Sequence, residues 1–455
     1  MALSEADTRA KLIDPAIHKR GWTEDLIRRE ETAGAIDVDP ATGRARRRAR
    51  GRVDYVLRVK ANSGAQALAV ALIEAKPDSE PPTKGMEQAK AYASARRMNV
   101  PFIYSSNGHL FVEYDQLSGL TSSPKPLAEF PTPADLRRRY EGHVGFGLGE
   151  KVAAPLLAKY HLGEGACRYY QDAAIRAALE KIARAEKEGK PARVLLALAT
   201  GSGKTRIAVN LLRKIADAGQ LRRALFVCDR DELRLQAASA FAGAFGADAA
   251  VVESGMPQKN ARVLIATYQT LDVASEEASA NFLTDNYPPD YFSHIVIDEC
   301  HRSAWGKWSQ VLTRNGAAVQ IGLTATPRRL EGIPRTKEAQ ADLRIVSDNY
   351  AHFGEPVYEY DMGQGIEDGY LAACEIHQFD LFHDNKKVSE REAGVTKEDL
   401  TGKWLTDART GAAVSAEELQ DWYSAPELED KLISPERVAA MTKDLFQHLI
   451  DTGGP

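Results

Sequence analysis

Apolar and polar positions along this chain follow more than one rhythm, and the changes of rhythm divide it. The opening, MALSEADTRAKLIDPAIHKRGW, spaces its apolar positions like an amphipathic helix. RVDYVLRVK (52–60) and QALAVALIEAK (66–76) are strand-like and flank Asn62-Ser63-Gly64, which predicts a β-hairpin. KGMEQAKAYASARRM (84–98) has helical composition and no breaker after Gly85. VPFIYSSNGHLFVEYD (100–115) predicts two short strands around an Asn107-Gly108 turn. The proline- and glycine-bearing stretch from Ser122 to Gly149 reads as a linker.

From about 165 to 345 the pattern becomes short, continuous apolar runs alternating with helical segments. VLLALAT (194–200), ALFVCD (224–229), VLIAT (263–267), HIVIDE (294–299) and AVQIGLTAT (318–326) are the strand candidates. Runs apolar on both faces point to a buried parallel sheet. The expected fold class is therefore α/β, with three regions: residues 1–145, 146–345 and 346–455. The third opens with YAHFGEPVYEYDMGQGIEDGYLAACEIHQFDL and turns charged and irregular. It closes with a helix that Ser434 can cap and Pro435 can start, running to Ile450.

Composition narrows the function classes. The chain has 455 residues, 44% hydrophobic and 27% charged, which suits a globular protein of several domains. No apolar stretch approaches the roughly 20 residues of a membrane helix. The polar N-terminus lacks a signal core, so neither secretion nor a membrane is expected. Cys167, Cys228, Cys300 and Cys374 lie far apart without a CxxC pair. That excludes a cysteine zinc cluster or disulfide framework and fits a reducing cytoplasm. Net charge is −5, yet Arg44 to Arg52 holds six arginines in nine residues, and Arg137, Arg138 and Arg139 form a second cluster. Each run is either a solvated surface or a phosphate-contacting patch.

LATGSGKT (198–205) follows the first strand of the second region and opens a helix that runs to Gly219. A loop of Thr200, Gly201, Ser202 and Gly203 between strand and helix turns backbone amides toward phosphates. Lys204 would reach the β and γ phosphates of ATP, and the Thr205 hydroxyl would hold Mg2+. In IVIDECH, Asp298 and Glu299 end a buried strand, where α/β sheets place their ligands. Asp298 suits Mg2+ and Glu299 suits polarising the attacking water. In GLTATP (322–327), Thr324 and Thr326 end a neighbouring strand and can hydrogen-bond toward those acids.

ATGSGKT, DECH and TATP, in that order, resemble the motifs of superfamily-two helicases and DNA translocases, with Leu198 where the first glycine usually stands. The resemblance implies one complete RecA-like lobe. It implies that Gln171 of RYYQ reads adenine and that His301 couples the ATP state to a neighbouring lobe. FVCDRDELRLQ (226–236) and IATYQT (265–270) resemble backbone-contacting motifs, which implies DNA contacts from Arg230, Gln236, Thr267 and Gln269. Such motors hydrolyse ATP between two lobes, with an arginine from the second. After TATP the remaining sequence shows neither strand-helix alternation nor such an arginine motif, and DTGGP falls where a second lobe would begin. The chain is accordingly expected to be a shortened form of a longer protein, binding ATP but hydrolysing it poorly alone.

LIEAKP (72–77) poses the remaining question. Glu74 and Lys76 are two apart on a strand and share a face, while Ala75 points the other way and leaves its carbonyl as a third candidate metal ligand. The hairpin brings the strand end of Asp54 beside them, and Gln88 and Tyr92 share one face of the next helix. Carboxylates on Mg2+ with a lysine at the phosphate are what a cation-dependent nuclease needs. This D…ExK…QxxxY pattern resembles the PD-(D/E)xK nucleases, particularly their RecB-like branch, with Val53 in place of the usual proline. The resemblance implies Asp54 and Glu74 as metal ligands, with Lys76, Gln88 and Tyr92 completing the site. Glu30 or Glu31, placed on the opening helix, resembles the extra helix acid of some members.

A nuclease of this kind ahead of a DECH motor lobe resembles the restriction, or motor, subunit of type I restriction-modification enzymes. IEAK…GMEQAKAYA, YSSNGHLFVEYD, DECHRS and FGEPVYEYDMGQGIEDGYL carry that likeness across nearly the whole chain. It implies a cytoplasmic prokaryotic protein that joins modification and specificity subunits, translocates double-stranded DNA with ATP and cleaves it. The competing expectations are a superfamily-two translocase whose N-terminal domain is a silent DNA-binding remnant, a stand-alone helicase, and a docking module acting through its C-terminal region.

Overall fold

The structure, a computed structural model, describes residues 2–32, 36–38, 45–47, 52–94, 97–116, 119–163, 165, 167–228, 231–253, 256–267, 270–271, 282–300, 311–325, 350, 352–372, 394–408, 410–424, 428, 431–435, 438–439, 442–443 and 446–447. It divides into two compact units, Met1–Ala373 and Cys374–Pro455.

The first unit opens with α1 (Glu5–Thr8), capped by the Ser4 hydroxyl, which accepts from the Asp7 amide. It passes through a π-turn, Arg9–Ile13, into α2 (Asp14–Lys19). Ile13 and Ile17 supply the buried stripe that the sequence period predicts. A mixed sheet follows, in the order β1 (Ile27–Thr32), β2 (Arg52–Val59), β3 (Leu68–Ala75), β4 (Phe102–Ser106), β5 (Leu110–Asp115), extended by short edge pairings. The expected hairpin is β2 and β3, with Tyr55 opposite Ile73. α3 (Met86–Ala93) crosses between β3 and β4, which run parallel as a helical crossover requires.

Two expectations fail here. Glu30 and Glu31 lie on β1, antiparallel to β2, and not on the opening helix, which ends at Lys19. Gly21 in a left-handed conformation stops that helix, and Ile27 begins a strand instead. The stretch taken for a linker forms α4 (Pro133–Val144). Thr132 and Asp135 build a capping box around Pro133, and Gly145 ends the helix at φ 83°. Leu136, Tyr140 and Val144 give it a fully buried face. The proline and glycine that suggested a linker are the start and stop signals of a helix.

Arg137 and Arg139 of the second basic cluster are spent internally. Arg137 donates to the Ala61 carbonyl at 3.0 Å and Arg139 to the Tyr104 hydroxyl at 3.2 Å, with Glu141 and Glu113 as their ion-pair partners. Arg138 alone remains largely exposed.

The second sheet is parallel throughout. Its order is β8 (Ala249–Val251), β9 (Val263–Thr267), β7 (Ala224–Cys228), β10 (His294–Ile297), β11 (Val319–Thr324), β6 (Arg193–Leu198), β12 (Tyr358–Tyr360). All five expected strands are present. β8 and β12, at the two edges, are three residues each and carry too little apolar sequence to stand out. α5 (Tyr169–Lys187), α6 (Lys204–Asp217) and α7 (Asp231–Phe245) cover one face. A separate apolar cluster that includes Leu283, Tyr287, Val311 and Phe353 covers the other. The two sheets share one continuous core, in which Tyr104 and Tyr140 belong to the same cluster as Ile182 and Tyr358.

The second unit has a small core of Val395, Leu400, Leu405, Leu419, Tyr423, Leu428 and Leu432, where sequence alone suggests only an irregular region. The described residues from Pro435 to Gln447 are helical, as expected of the closing segment. Cys167, Cys228 and Cys300 carry free thiols, and Cys374 lies outside the described residues. No helix among the described residues is long and apolar enough to cross a membrane.

Candidate functional site

Two groups of expected site residues come together, one at each sheet. At the first, the β2–β3 register sets Asp54 and Glu74 at neighbouring strand ends. Asp54 Oδ2 accepts from the Ala75 amide at 2.7 Å, which fixes the carboxylate against the strand of Glu74. Lys76 Nζ donates to Glu74 Oε1 at 2.9 Å and to Gln88 Oε1 at 3.2 Å. Gln88 Nε2 in turn reaches the Tyr92 hydroxyl at 3.4 Å. All five residues singled out by pattern thus form one connected group.

Gly85 allows this closeness. A Cβ there would meet Ser105 Oγ at 2.5 Å, Lys76 Cε at 2.8 Å and Glu74 Cγ at 3.0 Å, so α3 can begin against the site only because a glycine precedes it. Burial, then the neighbouring Asp54, lifts the Glu74 carboxyl to about 7. Burial likewise lifts Asp54 to about 6, against the Ala75 amide and Arg9, which favour its charge. For Lys76, burial opposes the charge, but Glu74 and then Glu5 and Asp54 leave its pKa raised overall.

Glu74 Oε2 and Ser105 Oγ are buried without a hydrogen-bond partner. Glu74 and Ser105 face each other across the β3–β4 pairing. Two orphaned oxygens beside a second buried carboxylate are a donor set that suits a hard cation. Among the described residues no three His, Cys, Asp or Glu side chains form a ready-made metal cluster; Asp54 and Glu74 are the two buried carboxylates at this point of the sheet.

Two residues of the opening helix belong to this group and escape sequence pattern. Glu5 lies 3.8 Å from Lys76 Nζ, and Arg9 donates to Asp54 Oδ1 at 2.9 Å and to Glu30 Oε1 at 3.4 Å. The helix acid near the site is therefore Glu5, in place of Glu30 or Glu31. Its four-residue spacing from Arg9 is the signal that could have found the pair. Arg9 starts the π-turn, a local irregularity of the kind that often marks functional positions.

At the second sheet, β6 leads through Ala199–Gly203 into α6. Gly201 and Gly203 adopt φ of 83° and 87°, the left-handed backbone that lets the loop wrap a phosphate. Lys204 Nζ lies 3.0 Å from Glu299 Oε1. Asp298 is 4% exposed, and burial lifts its carboxyl to about 6, against the pull of Lys204. Glu299 sits at φ 52°, a conformation that costs a non-glycine residue energy and is commonly kept at functional sites. Ser202 Oγ is buried without a partner, while Thr200 is exposed and Thr205 half-buried at the helix start.

Gln171 Nε2 donates to the Ser202 carbonyl at 3.0 Å, and the Tyr170 hydroxyl donates to the same oxygen at 2.7 Å. The first turn of α5 is thereby tied to the loop. Thr324 ends β11 opposite Ala197 on β6, beside the loop. Gln236 is exposed on α7, and the Thr267 hydroxyl is engaged in its own loop, 2.9 Å from Thr270 Oγ1. Arg230, Gln269, His301 and Thr326 lie outside the described residues.

Comparison with known proteins bears on the family of the chain. The family model described as type III restriction enzyme, res subunit, matches residues 164–329. The endonuclease subunit of the type I restriction enzyme EcoAI, from Escherichia coli, is 30% identical over 391 residues, covering 83% of this chain and 44% of that subunit. The EcoKI endonuclease subunit, from Escherichia coli K12, is 26% identical over 297 residues, covering 61% of this chain and 24% of that subunit. The chain spans less than half the length of these curated relatives. A solved fragment of an HsdR subunit of a type I restriction enzyme from Vibrio vulnificus YJ016 superposes with a TM-score of 0.61 at 31% identity, covering 81% of this chain and 61% of that one. Matched along most of its length in both sequence and fold, the chain belongs to the family of type I restriction enzyme endonuclease (HsdR) subunits.

Proposed function

We propose that the chain is the DNA-cleaving and ATP-driven translocating part of a type I restriction endonuclease. In this reading residues 1–145 are a PD-(D/E)xK nuclease domain, 146–345 the first RecA-like motor lobe, and 346–455 a connecting region toward a second lobe. Its setting would be the cytoplasm, its substrate double-stranded DNA, and its partners the modification and specificity subunits. The observation that supports it best is the connected group Asp54, Glu74, Lys76, Gln88 and Tyr92 in the same chain as the Lys204–Glu299 loop.

At the nuclease site, Asp54 and Glu74 would hold Mg2+, which when bound supplies charge stabilisation and water activation. Lys76 carries its cation beside the carboxylates, where a scissile phosphate would lie. Gln88 holds that ammonium in place, and Tyr92 holds Gln88. At the motor site the loop amides and Lys204 would take the phosphates of ATP, Thr205 and Asp298 would hold its Mg2+, and Glu299 would orient the attacking water. The second lobe's arginine has no counterpart in these motifs, so the 455-residue polypeptide should bind ATP and turn it over poorly by itself.

The alternative, a translocase with a silent nuclease-like domain, is disfavoured by the intact contacts linking Glu74, Lys76, Gln88 and Tyr92, with Asp54 fixed beside them by the Ala75 amide. Asp54→Asn or Lys76→Ala in the assembled enzyme should abolish DNA cutting and spare DNA-stimulated ATP hydrolysis. Cutting that survives either substitution would overturn the nuclease assignment.

A further inference from the structure

Glu30 and Glu31 are consecutive on β1 but serve different neighbours. In a regular strand, residues three apart face opposite sides. Glu30 adopts φ 52°, which breaks the alternation. As a result Arg28 and Glu31, which alternation would separate, pair at 3.6 Å, while Glu30 reaches Arg9 at 3.4 Å on the nuclease side. Glu31, with Glu30 beside it, lines an open cavity of about 410 Å³ together with Gly165, Cys167, Arg168 and Tyr370.

That cavity lies at the start of α5, the turn that Tyr170 and Gln171 bond to the phosphate loop. Arg168 spreads its guanidinium over the Tyr370 ring at 4.6 Å and donates to the Tyr170 hydroxyl at 3.1 Å, while its amide donates to Gln171 Oε1 at 3.2 Å. A nucleotide whose phosphates rest on Gly201–Thr205 would present its base here, against a flat cationic and aromatic surface. The opposite wall is acidic and comes from the N-terminal sheet. Glu31 and Tyr370 line the same cavity, and burial, then Asp368 and Glu31, pushes the Tyr370 phenol up.

We propose that Glu31 completes the nucleotide site by accepting a hydrogen bond from the exocyclic amine of adenine. The inference rests on the reading that the phosphate loop holds ATP. Adenine offers an amino donor where guanine offers a carbonyl oxygen, so a carboxylate at this position favours the first and repels the second. The specificity of the motor for its fuel would then depend on a residue of the nuclease sheet. Its neighbour Glu30 continues through Arg9 to the nuclease carboxylate Asp54.

The test is calorimetric titration of the 455-residue chain with Mg-ATP and with Mg-GTP, comparing the unaltered protein with Glu31→Ala, Glu31→Gln and Lys204→Ala. The expected result is a preference for ATP that Glu31→Ala reduces about tenfold, chiefly through weaker ATP binding, as befits a lost charge-assisted hydrogen bond. Glu31→Gln, which keeps the side-chain shape, should reduce it severalfold. An unchanged ATP-to-GTP ratio in both Glu31 variants would overturn the proposal, whether or not overall affinity falls. Failure of the unaltered chain to bind ATP, or binding that Lys204→Ala leaves intact, would overturn the phosphate-loop reading and this one with it.

Discussion

Lys204 Nζ lies 3.0 Å from Glu299 Oε1, so the cation of the phosphate loop and the acid beyond β10 engage each other directly. In the proposed nucleotide site, phosphates would compete with Glu299 for that ammonium. Glu299→Gln removes both the competitor and a negative charge facing the phosphates. Its ATP affinity is predicted to rise severalfold, about 1 kcal/mol for a partly screened charge pair, while hydrolysis in the complete enzyme is lost. Calorimetric titration checks the first part, and weaker ATP binding by the variant would contradict it.

The two carboxylates of the proposed nuclease site carry a pH signature. Burial lifts Asp54 from 3.8 to about 6 and Glu74 from 4.5 to about 7. Between those limits the folded chain holds more protons than the unfolded one, so this pair's contribution to stability declines as pH rises toward 7 and is flat above it. Mg2+ binds only the ionised forms, so its affinity should climb through pH 6 and 7 and level off beyond. The Mg2+-induced rise in Tm should be near zero at pH 5.5 and full by pH 8. A larger rise at the acid end would exclude these two residues as the ligands.

Gly85→Ala should act as a nuclease-site mutation although no chemistry resides at residue 85. The added Cβ would overlap Ser105 Oγ, Lys76 Cε and Glu74 Cγ at 2.5, 2.8 and 3.0 Å. Overpacking of this kind costs about 1–3 kcal/mol. The Lys76–Glu74 contact must open to relieve it. DNA cleavage by the assembled enzyme should fall at least about tenfold, since 1.4 kcal/mol at the reacting geometry is enough. ATP hydrolysis should stay near its original rate, and a parallel loss of both activities would count against the placement.

Thr132→Ala should destabilise the chain by about 1 kcal/mol, the usual cost of a lost N-cap. The Thr132 hydroxyl accepts from the Asp135 amide at 3.2 Å and donates to Asp135 Oδ2 at 2.7 Å. Chemical denaturation measures it. A linker at this position would show no change.

The motor strands were legible because each is a continuous apolar run, which a strand buried on both faces requires. The grouping of Asp54, Glu74, Lys76, Gln88 and Tyr92 was legible because they sit within local units, a hairpin and the helix after it, whose side-chain directions follow from period alone. What escaped has a common cause. Arg9 and Glu5 join Lys76 and Asp54 across long sequence separations, and nothing in a helical period announces a partner so far away. Glu30 and Glu31 were misplaced because the opening helix stops at Lys19, before a left-handed Gly21, and Ile27 starts a strand in its stead. Likewise Pro133 and Gly145 punctuate a helix as readily as a loop, and only the buried face of Leu136, Tyr140 and Val144 distinguishes the two.

The continuous core beneath both sheets has a mechanical consequence. Arg176, buried on α5, donates to the Met98 and Asn99 carbonyls at 2.8 and 2.7 Å, just past the segment that carries Tyr92. Tyr358 on β12 donates to the Arg97 carbonyl at 2.6 Å, and the Tyr140 hydroxyl donates to Glu180 at 2.5 Å. Two modules riveted through their interiors melt as one cooperative block and do not swing on a tether. Under the proposed function, any force generated at the Lys204 loop would reach the Asp54–Glu74 site without slack.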